Sequence, residues 1–131
     1  MAKAQQPLIL IVEDEVQQRQ IVKESLTAAH LRVAEASDGQ QGLAVALEQH
    51  PSLILLDLLM PHMDGIEMLR RLRKDHWGAS VPVIALTNLG EDVHSAAIQK
   101  LHVSDYLLKT SWPLADVVER VKKHLALRVH S

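Results

Sequence analysis

A chain of 131 residues with 47% hydrophobic and 23% charged side chains has the composition of one soluble globular domain, long enough to bury about two-thirds of its unfolded surface. A net charge of -2 excludes a broad electrostatic grip on nucleic acid or an anionic membrane, and the lack of cysteine excludes disulfides and thiolate metal sites. The opening "MAKAQQP" lacks the apolar core of a signal peptide and no apolar run is long enough to span a bilayer, so a cytoplasmic location without membrane insertion is expected.

Short apolar runs then alternate with helical segments. "LILIV" (8–12) predicts a first strand, followed by a helix over 15–30 on which Val22, Leu26 and Ala29 share a face. "LRVAEA" (31–36) is a weaker strand candidate, suited to a sheet edge, and "SDG" (37–39) signals the start of a second helix. "LILL" (53–56) predicts the third strand, and "MDG" (63–65) opens the third helix. "VIAL" (83–86) predicts the fourth strand, with the least apolar helix after it at about 91–101. "SDYLL" (104–108) is a second edge candidate. Pro113 then opens a last helix with the clearest stripe, Leu114, Val117, Val118, Val121 and Leu125. Continuous rather than alternating apolar runs imply strands covered on both faces. Alternating strands and helices with short connections therefore predict an α/β fold, a flavodoxin-like doubly wound five-stranded parallel sheet of order 2-1-3-4-5 with five helices. No linker interrupts the pattern, so residues 1–131 are expected to form a single domain, its core at about 7–127, with no output domain.

In such sheets the functional crevice lies beyond the carboxyl ends of the strands. Glu13, Asp14 and Glu15 follow the first strand, Asp57 the third, Thr87 the fourth and Lys109 the fifth. Asp57 ends the most apolar run of the chain, where a buried carboxylate must neutralise, pair or meet a metal. Carboxylates at close range repel one another, and a hard divalent cation such as Mg²⁺, which takes one or two carboxylates plus waters and phosphate oxygens, relieves them. Lys109 adds a positive charge and Thr87 a hydroxyl, the parts that hold a phosphoryl group, and a carboxylate can itself accept one. Singly, each residue has a plainer explanation: a strand-end acid often caps a turn, and "EDE" suits a helix N-terminus, where the dipole favours negative charge. Their joint placement at four strand ends carries the functional reading.

The segments "ILIVEDE", "DLLMPHMDG", "ALT" and "DYLLK", in this order and spacing, resemble the receiver domain of bacterial two-component response regulators over essentially the whole chain, of the stand-alone, chemotaxis-regulator-like kind. The resemblance implies a phosphoacceptor signalling switch rather than an enzyme with a separate substrate. Asp57 would accept a phosphoryl group from a phosphohistidine on a sensor histidine kinase or phosphotransfer protein. Glu13, Asp14, Asp57 and the backbone carbonyl of Leu59 would hold Mg²⁺. Lys109 would pair with the phosphoryl oxygens, Thr87 would move to bond them, and Tyr106 would turn inward behind it. The face built by the fourth helix, fifth strand and fifth helix would then be read by a downstream protein, without direct nucleic-acid contact, by a monomer or a phosphorylation-dependent dimer. Leu59 and Leu89, two residues past the aspartate and the threonine, offer no group to orient water, so slow autodephosphorylation is expected.

Three positions depart from the family pattern. Thr110 replaces the proline that usually follows the lysine with a cis bond; a non-proline cis bond costs about 2.5–4 kcal/mol, so a reshaped trans loop is expected. Asn88 stands where a small residue is usual, and His102 replaces a glycine at a left-handed cap. Rival readings fit less well. An aspartate-nucleophile phosphatase of the haloacid-dehalogenase type needs Asp-x-Asp after its first strand, and a flavin-binding protein needs a Ser/Thr/Gly-rich loop there; this chain has Glu-Asp-Glu. A phosphorylation-independent receiver-like scaffold has no need of Asp14, Asp57, Thr87 and Lys109 together. The eight histidines form no i,i+3 or i,i+4 pair, so a helical zinc site is not expected, and "RRLRK" (70–74) reads as a solvated basic helix face.

Overall fold

The computed structural model describes residues 6–58, 65–87, 100–108 and 114–129. They form β1 (Leu8–Val12), α1 (Val16–Ala28), β2 (Arg32–Ala36), α2 (Gly39–Gln49), β3 (Leu53–Asp57), α3 (Gly65–Lys74), β4 (Val83–Thr87), β5 (Asp105–Leu108) and α4 (Leu114–Val129). All strand pairs are parallel and the sheet order is β2-β1-β3-β4-β5. The order and the strands agree with the alternation of the sequence, and the two weaker candidates, β2 and β5, are the two edges. Four helices rather than five are present among the described residues; of the expected helix at 91–101, residues 91–99 lie outside them and 100–101 form a turn. No helix among the described residues is long and apolar enough to cross a membrane.

The continuous apolar runs are explained by the pleat. Leu10, Val12, Ile54, Leu56, Val83 and Ala85 pack on one face with Ala46 of α2 and with Met68, Leu69 and Leu72 of α3. Their neighbours Ile9, Ile11, Leu53, Leu55, Ile84 and Leu86 pack on the other face with Val22 and Leu26 of α1 and with Val117 and Val121 of α4. Apart from Leu8, every residue of the three central runs thus meets a helix layer. Complete burial of one such side chain is worth about 1.5–3 kcal/mol.

Helix ends follow local chemistry. Asp38 caps α2, its carboxylate accepting a hydrogen bond from the Gln41 backbone N–H at 2.8 Å. Three chain reversals use histidine where a left-handed backbone is required: His30, His50 and His102 have φ of 67°, 49° and 55°. The left-handed region that a glycine would occupy after the expected fourth helix is therefore present at His102. His50 gains a compensating contact, its ring stacked on Trp77 with centroids 4.3 Å apart and planes 7° from parallel.

Two polar clusters tie the layers together, and neither follows from helical periodicity. Arg73 does not belong to a solvated basic face. Its guanidinium is partly buried and donates to the backbone carbonyls of Gly78, Val81, Leu101 and His102 at 2.8–2.9 Å, joining α3 to the segments that lead into β4 and β5. Only Arg70 and Arg71 of that run form a surface pair, both with Glu67. On the other side, the Asp105 carboxylate at the start of β5 receives Arg120 Nη1 at 2.9 Å and lies 3.1 Å from His124 Nε2, both on α4. Burial opposes ionisation of Asp105, but the hydrogen bonds from His124, Arg120 and the Tyr106 backbone outweigh it and hold its carboxyl below the ordinary range.

Replacing the exposed His30 by glycine should raise stability by about 0.5–1 kcal/mol, the left-handed strain of roughly 1–2 kcal/mol less the backbone entropy of glycine. His50→Gly should gain less, because it loses the Trp77 stack; urea midpoints at constant m compare the two. A lowered Asp105 pKa means that its stabilisation is fully present above the unfolded value of about 3.9 and is lost as the pH falls through the folded one. The stability difference between wild type and Asp105→Asn should therefore shrink as urea unfolding is followed from neutral pH to below about pH 4.

Candidate functional site

The site is built where three neighbouring strands stop. β1 ends at Val12, and the next residue, Glu13, is held to β2 by a hydrogen bond from its N–H to the Ala36 carbonyl at 3.1 Å. β3 runs one residue further than its apolar run, so Asp57 is the last residue of a strand rather than part of a loop, in register with Leu86 of β4. Consequently Asp57 is only 1% exposed and Glu13 only 2%, while Asp14 is exposed. One carboxylate oxygen from each of Glu13, Asp14 and Asp57 lies within 4.8 Å of the others. Glu15, from the same acidic run, stands apart. It is the N-terminal cap residue of α1, and its backbone N–H donates to Glu13 Oε2 at 3.1 Å.

The approach of α3 fixes the floor of the site. A side chain at Gly65 would place its Cβ 2.2 Å from the Asp57 carbonyl oxygen and 2.7 Å from Leu58 Cα. The Gly65 N–H instead donates to the Leu58 carbonyl at 3.0 Å, so the helix begins directly on the backbone that carries Asp57. Glycine is required at 65 by this close approach.

Two like charges about 5 Å apart repel by about 3 kcal/mol at an effective dielectric of about 20, so ionised acids at this separation favour a cation among them. The donor set is all hard oxygen, with two buried groups and one exposed, which suits a small divalent ion entering from solvent. A cation of the protein itself stands behind the cluster. Arg19 Nη1 donates to the Glu13 carbonyl at 2.7 Å, and Arg19 Nε to Glu35 of β2 at 3.1 Å. Lys23 Nζ bonds the other Glu35 oxygen at 3.0 Å. The hydrogen bond from Lys23 and that from Arg19 hold the Glu35 carboxyl below its ordinary range, against the opposing effect of burial.

Other residues singled out in the sequence fall as follows. Thr87 ends β4 in register with Leu108, one strand from Asp57, and its side chain lies outside the described residues. Tyr106 lies on β5 opposite Ala85, half-buried against the face that α2 and α3 cover, and burial raises its phenol pKa. Leu59, Asn88, Leu89, Lys109, Thr110 and Pro113 lie outside the described residues. Arg19 and Glu35 were not legible as site residues. One sits a turn into α1 and the other on an edge strand, and only the β1–β2 register brings them to one place.

The profile of the response regulator receiver domain matches residues 9–122. The chain belongs to this family. It is 37% identical over 114 residues to the phosphate regulon transcriptional regulatory protein PhoB of Pseudomonas aeruginosa, covering 87% of this chain and 49% of that protein. It is 38% identical over 114 residues to the transcriptional regulatory protein SrrA of Staphylococcus aureus, covering 87% and 46%. The chain thus spans about half the length of the curated relatives it matches. Among solved structures, the receiver domain of sensor histidine kinase PA1611 from Pseudomonas aeruginosa superposes with a TM-score of 0.83 at 28% identity, over 92% of this chain and 98% of that one. That receiver domain was solved with a magnesium ion coordinated in its active site cleft. The Francisella response regulator 1452 receiver domain gives a TM-score of 0.81 at 27% identity, over 94% and 98%. Receiver domains are signalling modules of two-component systems, and the acidic cluster of this one is compatible with magnesium binding.

Gly65→Ala tests the tight floor. Because the new Cβ meets backbone rather than a flexible side chain, the substitution should cost more than about 2 kcal/mol in urea unfolding and should also displace Asp57. An unchanged urea midpoint would show that α3 can retreat at no cost.

Proposed function

We propose that this chain is a Mg²⁺-dependent phosphoacceptor switch whose Asp57 takes a phosphoryl group from the phosphohistidine of a sensor histidine kinase or phosphotransfer protein. One observation carries this reading: a carboxylate that is 1% exposed at the end of the central strand β3, with carboxylate oxygens of Glu13 and Asp14 within 4.8 Å of it. A fold that needed only stability would gain by placing an apolar residue there.

The three acids fit a divalent ion by donor type and separation, and Glu13, Asp14 and Asp57 would hold it, with the backbone carbonyl of Leu59 as a further ligand. Bound there, Mg²⁺ supplies neutralisation of the charge on the transferring group. A carboxylate oxygen of Asp57 attacks phosphorus while the phosphorus–nitrogen bond to the donor imidazole breaks, and the electron pair leaves on that nitrogen. The burial of Asp57 keeps bulk water from competing at the acceptor oxygen. Lys109 would balance negative charge on the phosphoryl oxygens, and Thr87, at the end of the adjacent strand, would donate its hydroxyl to one of them. The aspartyl phosphate adds about -1.5 to -2 of charge, with the side-chain phosphate as the guide.

That charge biases two arrangements of the strand ends, and Tyr106 on β5 would follow Thr87 inward. The downstream partner is then a protein that prefers one arrangement of the face around β5 and α4, since only differential binding shifts the populations. PhoB and SrrA are transcriptional regulators of about twice this length, and no direct contact with nucleic acid is assigned to the fold described here, consistent with the net charge of -2. We assign the protein to the cytoplasm, with its receiver domain acting as a monomer or a phosphorylation-dependent dimer.

The test is intact-mass measurement after incubation with Mg²⁺ and acetyl phosphate. A single phosphoryl increment that is absent from Asp57→Asn and absent when EDTA replaces Mg²⁺ is the expected result. An increment that survives in Asp57→Asn would contradict the assignment. Once formed, the phosphoryl group should persist for minutes or longer, because Leu59 and Leu89 offer no water-orienting group; a lifetime of seconds would overturn that expectation.

A further inference from the structure

We propose that Arg19 is a positioning residue of the acidic site, locking the peptide plane between Glu13 and Asp14 so that the two carboxylates are presented together to a divalent cation. The inference rests on the proposed function in that it takes Mg²⁺ as the cation.

The lock is built from both edges of one short segment. On one side the Glu13 N–H is fixed to the Ala36 carbonyl of β2 at 3.1 Å. On the other, the Glu13 carbonyl, which belongs to the same peptide unit as the Asp14 nitrogen, accepts Arg19 Nη1 at 2.7 Å. Rotation of that unit would swing Asp14 away from Glu13 and Asp57. Asp14 is exposed, so packing does not restrain its direction and the backbone that carries it must. Glu13 itself reaches forward to accept the Glu15 N–H at 3.1 Å, which completes the bend from β1 into α1.

Arg19 can do this because it is itself anchored. Its side chain is 16% exposed, and Nε donates to Glu35 at 3.1 Å while Nη1 reaches the Glu13 carbonyl. The guanidinium fork makes both bonds in a fixed geometry, whereas a lysine ammonium is a point donor on a flexible stem. Glu35 also offsets the charge of Arg19, so the guanidinium contributes little net field to repel an incoming cation. Lys23 provides an internal control. It bonds the same Glu35 carboxylate at 3.0 Å from the same helix, and among the described residues it has no bond to the Glu13 carbonyl, so it shares the ion pair without sharing the lock.

The experiment is calorimetric titration of Mg²⁺ into wild type, Arg19→Lys, Arg19→Met and Lys23→Met, with thermal unfolding of each metal-free protein alongside. Both Arg19 variants should bind Mg²⁺ about 3- to 10-fold more weakly while remaining folded, and Lys23→Met should match wild type; interactions of this kind are worth about 0.5–1.5 kcal/mol. Arg19→Met binding Mg²⁺ as tightly as wild type, or more tightly, would overturn the inference, since removal of a mere nearby positive charge has that effect. Equal weakening in Lys23→Met would overturn it too, by showing that loss of the Glu35 ion pair suffices. A wild-type protein that binds no Mg²⁺ would sink the proposed function and the inference with it.

Discussion

Burying the carboxylate of Asp57 at the end of β3, within reach of two other acids, is the constraint on which the rest of the site depends. Each element around it either keeps that carboxylate in place or offsets its charge. β3 holds it because the strand is paired on both sides, to β1 and to β4, and packed on both faces. Such a strand end cannot drift, and a group carried on it is set to within the tolerance of the core. The same rigidity keeps the two buried acids, Glu13 and Asp57, from separating to relieve their mutual repulsion. A cation, a proton or a phosphoryl group with its counter-charges would each relieve it, and under the proposed function a switch results because the last of these depends on a signal.

Rigidity on the sheet side is matched by links that leave the site in defined directions. Gly65 seats α3 on the Asp57 backbone, so a displacement of Asp57 would be passed to the start of that helix. Arg73, one end of α3, binds carbonyls of the segment that enters β5, so α3 and β5 are joined at the opposite end of the sheet. Asp105 then ties the start of β5 to Arg120 and His124 of α4. The links from Asp57 to the β5–α4 face thus combine backbone contact at Gly65, hydrogen bonds from Arg73 to backbone carbonyls and the side-chain bonds of Asp105. Population shift along them still requires a partner that distinguishes the two arrangements.

Much of the fold was legible because it depends on local, repeated chemistry. Continuous runs such as "LILIV" and "LILL", short and set between helical segments, suggested strands buried on both faces, and the weaker runs fell at the edges as their mixed composition implied. Asp57 was legible for the same reason, as one acid at the end of the most apolar segment. Arg19, Glu35, Arg73 and the Asp105–Arg120–His124 cluster were not, because each acts across elements far apart in sequence. "RRLRK" illustrates the difficulty: two of its arginines are surface partners of Glu67, while Arg73, two residues from Arg71, turns inward to bind four carbonyls. Helical periodicity assigns a face but not the loop carbonyls that approach it. The expected helix at 91–101 and the Lys109 loop fall mostly or wholly outside the described residues, so they enter through the sequence alone.

The most direct test of the central claim is the thermal stability of wild type and Asp57→Asn, each with and without Mg²⁺. If the buried acids are a stored electrostatic cost that a divalent ion relieves, metal-free Asp57→Asn should melt higher than metal-free wild type. Saturating Mg²⁺ should then raise the wild-type transition by linkage and leave that of the variant nearly unmoved. A variant that is less stable without metal, and that responds to Mg²⁺ as wild type does, would contradict the account by making Asp57 a structural residue and placing the cation elsewhere.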